Sequence, residues 1–80
     1  MDELNYSRER GTAMENIHQR LIRLREEKGI TVEEAALGLG ESPKTLIGWE
    51  TSVMPKYRTM ERLAKFYGVS MYYLKTGFNE

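Results

Sequence analysis

Eighty residues suffice for one small domain around one core, and the absence of cysteine removes disulfide staples, thiolate metal sites and thiol nucleophiles together. Twelve basic and twelve acidic residues cancel to a net charge of zero, which weighs against nucleic-acid binding. No apolar run approaches the roughly eighteen residues of a membrane span, and the opening MDELNYSRERGTA lacks the apolar centre of a secretory leader, so a cytosolic protein without membrane contact is expected.

The charge is unevenly spread. Residues 1–16 hold two basic residues against four acidic, whereas residues 44–75 hold six basic against two acidic. Residues 1–15 are polar, contain Gly11 and keep no period, so they read as a flexible arm; residues 16–77 read as the domain and 78–80 as a tail.

Within the domain, Ile17, Leu21 and Leu24 share one helix face, and Lys28-Gly29 closes that first helix. Thr31 and Glu34 form a capping box that opens a second helix, with Val32, Ala35, Ala36 and Leu39 on its inner face and Gly40 at its end. Ser42-Pro43 is a further start signal, because serine caps orphan N–H groups and proline at the first helical position gives up an N–H that has no partner. The third helix is expected to end at Glu50, followed by a loop over residues 51–57 that contains Pro55. Met60, Leu63, Ala64 and Tyr67 mark a fourth helix stopped by Gly68, and Ser70 caps a short fifth helix that carries Met71 and Leu74 and stops at Gly77. No strand pattern or internal repeat is present, so the fold class is all-α.

Catalysis finds little support. The single histidine, His18, has no metal-ligand or triad partner at a useful spacing and reads as a solvated surface residue. The Glu26-Glu27 and Glu33-Glu34 pairs occupy neighbouring helix positions that point apart. No metal and no cofactor is expected.

Two helices joined by a three-residue turn suggest a helix-turn-helix unit, whose second helix enters the major groove of DNA. Taken together, LREEKGIT, AALGLGESPKTLIGWE and ERLAKFYGVSMYYLKTG resemble the Cro and phage-repressor (XRE-type) helix-turn-helix family over residues 17–77, about three quarters of the chain. The resemblance implies a compact five-helix, lambda-repressor-like domain. It assigns Ala36 to the helix crossing, Gly40 to the turn, and Leu46 and Trp49 to the inner face of the recognition helix. It also implies a bridge between Arg25 and Glu50.

The same resemblance implies a regulator, most simply a repressor, that binds double-stranded operator DNA as a dimer. The groove-facing residues would be Ser42, Pro43, Lys44, Thr45, Ile47 and Gly48. Phosphate contacts would come from Thr31, Val32 and the start of the second helix, and from Lys56, Tyr57 and Arg58. Four positions depart from the family pattern: Val32 stands for a glutamine, Gly48 for a basic residue, Glu41 for an apolar turn residue, and Ser52 for a glycine. Leu37 and Ile22 fall off the buried faces.

Near the C-terminus, Met71, Tyr72, Tyr73 and Phe78 concentrate more apolar area than one short helix needs, which points to a homodimer contact. A rival reading keeps the fold but uses the third helix, or Leu37 and Ile47, to hold a protein partner, as an anti-repressor or antitoxin-like module would.

Overall fold

The computed structural model describes residues 15–79; the expected arm, apart from Glu15, lies outside them. Five helices follow one another: α1 (Ile17–Lys28), α2 (Val32–Leu39), α3 (Pro43–Thr51), α4 (Tyr57–Tyr67) and α5 (Met71–Thr76). Among the described residues there is no strand, as the pattern predicts.

Local chemistry accounts for where the helices begin. Thr31, Ser42 and Ser70 accept N–H bonds from the first turns of α2, α3 and α5. A further capping box, Asn16 with Gln19, opens α1; it has the same spacing as Thr31 and Glu34 and was equally open to recognition in the sequence. Helix α4 starts at Lys56 without a side-chain cap.

The ends differ. Helix α2 stops at Gly40, whose φ of 72° places it in the left-handed region that a Cβ would oppose. Helix α3 runs one residue past the expected Glu50 and stops without any left-handed residue. The Ser52 and Val53 N–H groups both donate to the Gly48 carbonyl, at 2.9 and 2.8 Å. The Thr51 hydroxyl turns back onto the Ile47 carbonyl at 2.8 Å. Serine at position 52 therefore needs no glycine geometry, and the loop shortens to residues 52–56, with Pro55 buried in it.

The core takes one fully buried leucine from each of four helices: Leu21, Leu46, Leu63 and Leu74. Each such burial is worth about 1.5–3 kcal/mol. Helix α2 contributes Ala35 and Ala36 instead, and these small side chains let α3 approach closely. Gly38 serves the same end on the opposite side of α2, since a Cβ there would sit 2.6 Å from the Phe66 ring of α4. Helix α3 packs on α1 and α2, while α5 closes the far side against α1 and α4.

One core position was not anticipated. Arg20 is 2% exposed, at a face position beside Leu21 that charge alone had excluded from the core. Its guanidinium donates to the Leu74 carbonyl at 2.8 Å and to the Glu15 carbonyl at 2.6 Å. Burial pushes its pKa below the usual arginine value, and Glu15 opposes that push. The neighbouring Arg23 binds the Glu15 carboxylate and donates to the Tyr73 hydroxyl at 2.6 Å. Glu15, expected to end the arm, is thus bonded to α1 through Arg20 and Arg23, and it is these two arginines that join α1 to α5.

Candidate nucleic-acid interface

Helix α3 is held from behind at two points. Arg25 on α1 makes a two-pronged bridge to Glu50, with Nε–Oε2 at 2.7 Å and Nη2–Oε1 at 3.2 Å. The Glu50 side chain is 5% exposed and that of Arg25 15%, so both charges are largely withdrawn from water and each requires the other. The bonds to Glu50 raise the Arg25 pKa above its usual value, against the effect of burial. Arg25 also donates to the Ile30 carbonyl at 3.1 Å, fixing the connection into α2.

The second point is His18. Its Nδ1 donates to the Trp49 carbonyl at 2.7 Å, across 31 residues of chain. The solvated histidine expected from the sequence is instead half-buried and occupied. Its sequence signal was its place one residue after Ile17, beside the buried face of α1.

With Leu46, Trp49 and Glu50 turned inward, α3 presents Lys44, Ile47 and Thr51 as one exposed stripe, with Ser42 and Pro43 at its leading end. Thr45 and Gly48 flank it, half-buried. The Ser42 hydroxyl accepts the Thr45 N–H at 3.2 Å and lies 3.0 Å from the Thr45 hydroxyl. A Cβ on Gly48 would meet Val53 at 3.4 Å, an ordinary contact, so the glycine is not demanded by space.

The turn between α2 and α3 tolerates Glu41 because Arg62 of α4 reaches it. Arg62 Nη1 bonds Glu41 Oε2 at 3.0 Å and Nη2 donates to the Leu39 carbonyl. One of the six basic residues in the C-terminal half is therefore engaged in bracing the turn.

The two expected phosphate positions are unlike one another. At α2 the Thr31 N–H already donates to Glu34 Oε1 at 2.8 Å, and Glu33 and Glu34 both lie in the first turn. Two carboxylates complement the positive end of the helix and repel a phosphate. Val32 packs, half-buried, against the core. At α4, by contrast, Lys56, Tyr57 and Arg58 are exposed around a helix start with no side-chain cap and no acidic first turn.

Residues 21–74 match the family model described as helix-turn-helix. The chain belongs to that family. The transcriptional repressor RstR of the cryptic phage CTXphi of Vibrio cholerae is 45% identical over 47 residues, which is 58% of this chain and 42% of the repressor. The helix-turn-helix protein thus matches less than half of that relative's length. No solved structure matches it significantly. Among the described residues no group of acidic or histidine side chains is arranged to hold a metal, and no helix is long and apolar enough to cross a membrane.

The C-terminal residues divide in two. Tyr73 is bonded to Arg23, and Met71 packs partly on the core. Tyr72 and Phe78 stay 50% and 53% exposed.

Proposed function

We propose that this chain is a sequence-specific DNA-binding transcriptional regulator, a repressor of phage or bacterial origin, with α3 as its recognition helix. One observation carries the reading: α3 is fixed from behind by Arg25 and His18 while its capped N-terminal end and the Lys44–Ile47 stripe face outward. Ser42, Pro43, Lys44, Thr45, Ile47 and Gly48 then face the groove. Lys56, Tyr57 and Arg58 hold the phosphate backbone, a role for which they are better placed than Thr31 and Val32 beside the carboxylates of α2. Similarity to a phage repressor supports the assignment. Two copies join through Tyr72 and Phe78, which sets two recognition helices against two half-sites.

Anisotropy titration of random duplex DNA across a salt series tests the reading. Neutralised phosphates release counterions, so log affinity falls by about 0.9 per contact against log salt. Failure to bind any duplex in dilute buffer overturns it. A protein-interaction module is the second reading, favoured by Leu37 at 83% and Ile47 at 49% exposure. It predicts that same absence of DNA binding.

A further inference from the structure

The outward stripe of α3 is chemically sparse once its own hydrogen bonds are drawn. The Thr51 hydroxyl spends its single proton on the Ile47 carbonyl at 2.8 Å. Ser42 and Thr45 share a hydroxyl contact at 3.0 Å, which retains one of their two protons within the pair, and the Ser42 oxygen also accepts the Thr45 N–H. Pro43 has no N–H and Gly48 has no side chain. The stripe contains no asparagine, glutamine or acidic residue. Bidentate recognition of adenine is therefore closed to it, and acceptance from cytosine N4 falls only to a hydroxyl oxygen.

Beyond the one hydroxyl proton left to the Ser42–Thr45 pair, two uncommitted groups lie on the stripe: the Lys44 ammonium, which suits the guanine O6 and N7 acceptors, and the Ile47 side chain, which offers only apolar surface. The apolar feature of the major groove is the thymine C5 methyl. We infer that Ile47 is a specificity-determining residue that reads a thymine methyl, with Lys44 reading a guanine beside it. Three residues of helix rise span about 4.5 Å, against about 3.4 Å per base step. The guanine and thymine therefore lie on adjacent or next-adjacent base pairs. This inference rests on the DNA-binding reading and adds the half-site chemistry to it.

The test begins with selection of bound duplexes from a random pool by the full chain. Each thymine of the enriched site is then replaced singly by deoxyuridine, which removes only the methyl group, and affinity is measured for the natural chain and for Ile47→Ala. At one thymine the natural chain is expected to lose about three- to fivefold in affinity, and Ile47→Ala to lose nothing further there. Lys44→Ala flattens discrimination at a neighbouring guanine. The deoxyuridine series on the natural chain needs no folded variant. Insensitivity to every methyl, or equal sensitivity in Ile47→Ala, overturns the inference alone. DNA binding with no enriched sequence does the same and leaves the DNA-binding reading intact, whereas no binding to any duplex removes both.

Discussion

The imidazole of His18 donates to the carbonyl of Trp49 at 2.7 Å and so closes the C-terminal end of α3 from α1. The last four carbonyls of a helix lack partners within it. In α3 the Gly48 carbonyl is taken by Ser52 and Val53, and that of Trp49 by His18. Because a carbonyl only accepts, the proton must sit on Nδ1. His18→Ala is expected to cost about 1–2 kcal/mol in urea unfolding, the penalty of an orphaned part-buried acceptor. A change below about 0.5 kcal/mol, typical of a plain surface substitution, would show the bond to be dispensable.

Arg25 and Glu50 should respond unequally to substitution. Arg25→Ala strands a carboxylate that is almost fully enclosed, at a cost of about 3–5 kcal/mol. Glu50→Gln keeps an acceptor opposite a guanidinium that retains some water and its Ile30 bond, so it costs less. Thermal denaturation by circular dichroism reads the order. Greater loss in Glu50→Gln would contradict it.

The fold was legible where composition and spacing act locally. Caps at Thr31, Ser42 and Ser70, the glycine at position 40 and the leucine spacing are each decided within one or two helical turns. What escaped were contacts between distant polar groups: His18 with Trp49, Arg20 with Leu74, and Glu41 with Arg62. A polar residue at a face position reads as surface until its partner's place in space is known. The candidate site shows the same division, since the inward and outward residues of α3 followed from the family resemblance. The filling of the α2 start by Glu34 was visible as a capping box.

Tyr67 contributes a pH dependence at the alkaline edge. Burial, then the nearby Glu50, push its hydroxyl from the usual 10.0 up to about 12, with Arg25 opposing. Above pH 10 the unfolded chain releases this proton first, so the folded state loses stability as pH rises from about 10 to about 12 and gains none below. The hydroxyl oxygen is buried with no hydrogen-bond partner among the described residues. Tyr67→Phe should therefore be neutral or stabilising at pH 7 and should flatten this limb relative to the natural chain. A marked loss of stability at pH 7 would reveal a hydrogen bond that the hydroxyl makes.

Lys44 and Arg58 should separate specification from positioning. Arg58→Ala should weaken binding to all duplexes alike and reduce the salt slope by about 0.9. Lys44→Ala should also reorder sequence preference. An unchanged ranking of duplexes with Lys44→Ala would remove it from base readout.

Association should depend on Tyr72 and Phe78 and not on Tyr73. The first two side chains are half-exposed, so a glutamate at either place leaves the core untouched while setting two like charges face to face across a two-fold contact. Sedimentation equilibrium should show a dimer for the natural chain and a monomer for Tyr72→Glu and Phe78→Glu. Tyr73→Phe removes the acceptor for Arg23. It should lower stability by about 1 kcal/mol and leave the dimer intact. A monomeric natural chain at high micromolar concentration, with or without DNA, would refute the contact.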